Sequence, residues 1–377
     1  MNEDKATRYR RLRRRAVLLA MATWAALLAG LAGSGASRAL ADASAVLAGR
    51  VPAPEPIHFL LAVAGYAFVL ALAGWTAVAP WRCYGEFLVE RRFGQSRRSL
   101  AGWLGDFARG TLLNLVVCTA GAVLLYAAMR WWPGWWWLAA GLSYVGLTIA
   151  LARLAPALPL SRRRHLRPLP PSPLRRRLES LVRRAGMAHV DIHEWRTGEA
   201  APRPNAVLVG LGPARRVLLT DALLADYTDD EIEVVMAHEL AHCVHRDLWK
   251  TIACETAAVT LACWAAWWVL PSLAPSLGLT GAADVAGLPL AVLAAAGVLL
   301  LLRPVTNLIS RRCERRADRF AVEMTGNPGA LASGLRRLAA QTLAEERPSA
   351  VVEWLFHSHP PLSARLAPRG HSDGVIP

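Results

Sequence analysis

The chain has 377 residues, 54% of them hydrophobic, and a formal net charge of +15. The apolar residues are gathered into runs poor in charge at 16–33, 57–79, 111–129, 134–152, 253–271 and 285–302. Most approach the roughly 20 residues that cross a bilayer core, which argues against a soluble multidomain protein. The positive charge is almost wholly arginine, with lysine only at positions 5 and 250, and it sits at the ends of the apolar runs. That is the pattern of membrane topology, and no nucleic-acid partner is expected.

In chain order, "TRYRRLRRR" (7–15) precedes the first run, and "SRALADA" follows it. The apolar stretch is long for a signal peptide, so a retained anchor is expected over a cleaved leader. Arginines crowd the segments 80–110, 161–178 and 310–319, whereas 34–56 holds only Arg38 and Arg50, and 272–284 holds no basic residue. These alternate as the successive loops of about six spans. The positive-inside rule then places both termini and the large hydrophilic segments in the cytoplasm. The arginine-over-lysine bias suggests a GC-rich bacterial gene, hence a multi-pass protein of the cell inner (plasma) membrane. Trp131, Trp132, Trp135, Trp136 and Trp137 suit an aromatic belt on the outer side. The six cysteines form no C-x-x-C pair and read as small hydrophobes.

The expected organisation has four parts. Residues 1–155 form an N-terminal membrane region with four spans, and 156–250 the first part of a catalytic domain. Residues 251–307 form a transmembrane hairpin, and 308–377 the second part of the catalytic domain. Within 156–250, a Pro/Arg-rich linker (159–178) overlaps the start of an amphipathic helix near 174–185. Three β-like segments follow, at 189–195, 205–210 and 216–220, suggesting a small sheet with an exposed edge. From Tyr227, "YTDDEIEVVMAHELAHCVHRDLWK" reads as one long helix with a Thr228/Glu231 capping box. With no Pro or Gly before position 271, it is expected to run on into the fifth span. Glu255 is expected at the interface or facing the protein interior.

His238, Glu239, Leu240, Ala241 and His242 spell H-E-x-x-H. On a helix, residues four apart share a face, so both imidazoles can bind one metal ion while the adjacent glutamate reaches a water on it. This is the ligand half of a zinc hydrolase, with one Zn2+ per chain. His245 is a rival third ligand, but H-E-x-x-H-x-x-G-x-x-H is ruled out because position 245 is His and 248 is Leu. In "RRCERRADRFA", Glu314 can complete a His2Glu site. Asp318, four residues on, can accept a hydrogen bond from a ligand imidazole, and small Ala317 and Ala321 permit close packing. The competing reading of this segment is a solvated helix with Glu–Arg pairs.

H-E-L-A-H, a membrane hairpin and E-x-x-A-D-x-x-A together resemble the type I CaaX prenyl protease family of integral-membrane zinc metalloproteases, relatives of the HtpX-type quality-control proteases. "YGEFLVERRFGQSRRSLAGWLGDFARG" (84–110), "PNAVLVG", "RVLLTDALL" and "EWLFHSHPPLSARL" (353–366) resemble that family's other elements in order and spacing. The resemblance implies a mainly α, polytopic α-helical membrane protein with a small α+β zincin-like metalloprotease domain. It implies zinc on His238, His242 and Glu314, with Glu239 as general base and Asp318 beside a ligand. Asn205 would lie on an edge strand that holds the peptide, and His359 and Arg365 would face the substrate or transition state. The expected partners are a peptide or protein substrate, membrane-associated in the CaaX case, and the lipid bilayer. The alternatives are an HtpX-like protease of misfolded membrane proteins and a catalytically silent scaffold; the latter would lack one of the four central residues, and all are present.

Overall fold

The computed structural model describes residues 4–154, 166–187, 190–196, 204–212 and 215–366. In chain order the helices are α1 (Lys5–Gly33), α2 (Ala36–Ala48), α3 (Glu55–Arg82), α4 (Leu100–Trp131), α5 (Trp136–Leu154), α6 (Pro173–Arg184), α7 (Asp221–Asp226), α8 (Asp229–Val244), α9 (Asp247–Leu273), α10 (Leu288–Thr325), α11 (Pro328–Thr342), α12 (Ala350–Phe356) and α13 (Leu362–Leu366). A π-helical turn, Cys83–Val89, extends α3 through Arg92. The strands are β1 (Leu166–Pro168), β2 (Asp191–Trp195), β3 (Ala206–Val209) and β4 (Arg216–Thr220). Two compact units divide the chain: residues 11–148 with 252–302, and residues 1–10 with 149–251 and 303–377.

In the first unit the long helices carry lipid-length apolar stretches. Among the described residues, five helices are long and apolar enough to cross a membrane: Lys5–Gly33, Glu55–Arg92, Leu100–Trp131, Asp247–Leu273 and Val285–Thr325. The sixth expected run, 134–152, is helical as α5, which ends at Leu154 where a stretch outside the described residues begins, and it is not among those five. Residues 34–56, expected as a plain outer loop, contain α2, whose buried face is Ser37, Ala41, Ser44 and Ala48. Small residues at helical spacing let backbones approach closely, which is how helices associate where water supplies no driving force. Gly74 lies directly under the Trp24 ring, and Gly141 against Thr260.

Several polar groups in this unit are paired across helices. Ser37 donates to the Ala286 carbonyl at 2.6 Å, and the Tyr126 hydroxyl donates to the Asp284 carbonyl at 3.1 Å. Arg38 and Asp284 form an ion pair. Glu255, expected at the interface or facing the protein interior, is exposed and accepts a hydrogen bond from Tyr144 at 2.8 Å. Of the five clustered tryptophans, Trp131, Trp132 and Trp135 are exposed, whereas Trp136 is buried in the helix core.

The second unit is built on a four-stranded sheet in the order β1-β2-β4-β3. β2 and β4 are parallel, and the outer pairs are antiparallel. β3 is thus an edge, as expected. β1 was not expected: it is three residues long and ends in proline. Position 189 and residues 159–165 of the linker lie outside the described residues. Leu178 and Leu181 of α6, Val217 and Leu219 of β4, and Ile232, Met236 and Leu240 of α8 form the core. Burial of each such side chain contributes about 1.5–3 kcal/mol.

The helix expected to run unbroken from Thr228 into the fifth span is broken. α8 ends at Val244, His245 caps it, and Arg246 takes a left-handed conformation (φ 56°) before α9 starts at Asp247. Asp247 is buried and accepts hydrogen bonds from Lys250 and Arg316, which holds the new helix start in place.

Candidate active site

The Thr228 hydroxyl caps α8 by accepting from Glu231 N–H, and the Glu231 carboxylate accepts from Thr228 N–H, so both orphan donors are satisfied. Ile232, Val234, Met236, Ala237, Leu240 and Ala241 bury most of its circumference, leaving His238, Glu239 and His242 half-buried on the remaining face. Opposite lies α10, whose Ala317 and Ala321 are fully buried and whose Glu314 and Asp318 point toward α8.

The side chains converge. His238 Nε2 lies 3.3 Å from His242 Nε2 and 3.3 Å from Glu314 Oε2, and His242 Nε2 lies 3.6 Å from Glu314 Oε1. One ligand atom from each of the three residues fits within 4.8 Å. The imidazoles are oriented from behind: His238 Nδ1 is 3.0 Å from Asp318 Oδ1, and His242 Nδ1 is 3.0 Å from Asp247 Oδ2. Each carboxylate can only accept, so each Nδ1 carries the proton and each Nε2 presents a lone pair to the centre. Glu314 Oε2 is buried without a hydrogen-bond partner among the described residues. Two lone pairs and an unsatisfied carboxylate oxygen facing one another repel unless a cation sits between them, so the donor set fits a metal of the His2Glu kind.

Electrostatics agree. Burial works to lower the His238 pKa, but hydrogen bonds with Asp318 and Glu314 outweigh it and push the pKa up to about 9. The carboxylates around that ring favour positive charge at the centre, which a metal ion between the two Nε2 atoms and Glu314 would supply in place of a second proton on the ring. Burial raises the Glu239 pKa, with His238 and His242 pulling against it, which moves the carboxylate toward the range useful to a general base.

The remaining expected residues are spread around this centre. Asn205 is exposed at the head of β3, where its backbone N–H donates to Thr220 Oγ1 at 2.8 Å. His359 Nε2 lies 3.4 Å from Glu314 Oε1, with its ring largely exposed. The Arg365 guanidinium is engaged by Asp318, through Nε at 2.9 Å and Nη2 at 2.6 Å. His245 faces away, its ring edge-on to Phe320.

Two residues escaped the sequence reading. Asp247 holds His242 as described, and buried Arg311 donates to the carbonyls of Glu353 (3.1 Å) and His357 (2.8 Å), fixing the loop that carries His359. Arg311 stands in an arginine-rich run, where nothing local marks one as buried. A cavity of about 190 Å³ adjoins the centre; Asn205, His238, Glu239 and Glu314 stand on one side, and Leu223, Tyr227, Val235, Leu331, Leu335 and Leu338 supply apolar wall.

A helical membrane protein with H-E-x-x-H facing a glutamate on a second helix belongs among the membrane metalloproteases. The chain is a member of Peptidase family M48, whose model matches residues 168–368. The model described as "CAAX prenyl protease N-terminal, five membrane helices" matches residues 4–160. The uncharacterized metalloprotease YhfN of Bacillus subtilis is 26% identical over 324 residues, covering 84% of this chain and 75% of that protein. A Protease HtpX homolog of Limosilactobacillus fermentum is 33% identical over 196 residues, covering 44% of this chain and 62% of that protein. The crystal structure of S. mikatae Ste24p shares the fold, with a TM-score of 0.70 at 20% identity over 87% of this chain and 78% of that one. The protein is thus a multi-pass M48 metalloprotease related to CAAX prenyl proteases and HtpX, acting on peptide or protein substrates at a lipid bilayer.

Proposed function

We propose that this protein is a zinc-dependent endopeptidase of the inner (plasma) membrane, with its active site on the cytoplasmic side and one Zn2+ per chain. The observation that carries the reading is the convergence of His238 Nε2, His242 Nε2 and the Glu314 carboxylate, with both Nδ1 atoms held by carboxylates. Zinc held there would supply Lewis acidity to the scissile carbonyl and lower the pKa of water toward about 7. Glu239, beside His238, takes the proton from the attacking water and delivers it to the leaving amine. His359, exposed at the rim 3.4 Å from Glu314, donates to the oxyanion as it forms. Arg365 fixes Asp318, and Asp318 fixes the His238 ring. Edge strand β3, starting beside Asn205, adds the substrate as a further strand.

The architecture sides with CaaX-type processing of peptide C-termini over HtpX-type quality control. The prenyl-protease N-terminal model matches residues 4–160, while the HtpX homolog match covers 44% of the chain. The arginine-rich loop pattern supports the cytoplasmic orientation.

The test uses the full chain in detergent, offered a prenylated CaaX peptide and unfolded casein with and without chelator. Glu239→Gln should lose between about a hundredfold and ten-thousandfold in turnover while keeping its metal. Unchanged turnover in that variant sinks the assignment, and cleavage of casein alone favours quality control.

A further inference from the structure

Glu239 also lines a second cavity, of about 540 Å³, whose chemistry differs from that of the apolar-walled one. Glu239, His242, Leu208 and Val209 line it, together with Arg215 and Arg246. Along both β3 and α8 the lining residues pass from the first cavity to the second in chain order. Asn205, Ala206, Val235 and His238 belong to the first cavity, and Leu208, Val209, Cys243 and Arg246 to the second. A peptide added along the β3 edge would run beside residues of both cavities, and Glu239 lines both.

The second cavity is electropositive. Among the described residues Glu239 is its one acidic lining residue, against two guanidinium groups. Among the described residues neither Arg215 nor Arg246 has an ion-pair partner, whereas nearby Asp247 is engaged by His242, Lys250 and Arg316. Arg246 also occupies the left-handed position that breaks the helix, a conformation glycine would adopt without the Cβ penalty. The residue found there instead sets a charge at the rim of the cavity.

Resting on the endopeptidase reading above, we infer that the cavity lined by Arg215 and Arg246 is a specificity subsite for a peptide carboxylate. That carboxylate is supplied by an Asp or Glu side chain, or by the substrate's C-terminus, on one side of the scissile bond. The bond chosen is then the one flanked by an apolar side chain toward Leu223 and Tyr227 and by a negative charge toward the arginines.

The test uses the full chain in detergent and neutral fluorogenic peptides in which a Glu, Gln or Lys is moved one position at a time through the register, each with a free-acid or amidated C-terminus. Cleavage is read as kcat/KM, and binding as fluorescence anisotropy on the Glu239→Gln protein. One position should favour Glu over Lys by about tenfold, the scale of one charge-assisted contact. That preference should vanish or invert in Arg215→Glu/Arg246→Glu and survive in Arg215→Lys/Arg246→Lys, with metal content and helical circular dichroism checking that each variant is folded. A preference that follows the free acid at any side-chain register assigns the terminus; one that persists in amidated peptides assigns the side chain. Cleavage with no charge preference, or an unchanged preference in the Glu double variant, overturns the subsite and leaves the protease intact. Charge-selective binding without cleavage of any peptide sustains the subsite and overturns the protease.

Discussion

His242 Nδ1 lies 3.0 Å from Asp247 Oδ2, although the two residues stand only five apart in the chain. On a continuous helix five residues turn about 140°, which would carry Asp247 to the far side. The break at Arg246 brings it back beneath the imidazole. Replacing Asp247 with Asn removes the charged acceptor that fixes the His242 ring. Metal affinity should fall between about tenfold and a hundredfold, read by competition with a chelator of known affinity. Affinity within twofold of the parent would show that the contact is incidental.

A second prediction concerns pH. Burial raises the Glu231 pKa, but hydrogen bonds with Thr228 and Ser333 and the charge of Arg337 outweigh it, holding the carboxyl below its ordinary value. A depressed folded pKa contributes stability that is present above the unfolded value and lost as pH falls through the folded one. Glu231→Gln should therefore flatten the acid limb of the stability profile and cost about 1 kcal/mol at neutral pH. Denaturation midpoints measured from neutrality down through the carboxylate range decide it; parallel profiles for parent and variant count against it.

The third prediction tests helix packing. A Cβ added at Gly74 would collide with the Trp24 ring, whereas one added at Gly121 meets nothing within 4 Å. Gly74→Ala should destabilise the detergent-solubilised protein by about 1–3 kcal/mol, and Gly121→Ala should not. Thermal unfolding of the two variants side by side is the measurement, and equal midpoints would remove the close contact from the account.

Much of the site was legible because helical periodicity is a local property. His238 and His242 share a face by spacing alone, and Glu239 follows from them. Glu314 and Asp318 were marked by their own spacing of four, although their meeting with α8 depends on tertiary structure. Asp247 was hidden because its role depends on a helix break that no Pro or Gly announces; the left-handed residue is an arginine. α2 was hidden because its buried face is made of Ser and Ala, which carry little hydropathy signal. The sixth apolar run is helical, as α5, and ends against residues outside those described.

The edge position of β3 bears on which proteins could be cut at all. A strand joins such an edge only through backbone N–H and C=O groups not already engaged. A native domain has nearly all of its own matched internally, so it offers nothing for the edge to hold. In the proposed binding mode the enzyme thus responds first to conformational state, accepting loose termini and unravelled segments, and only then to side-chain identity. Intact neighbours in the same membrane would be spared without any inhibitor.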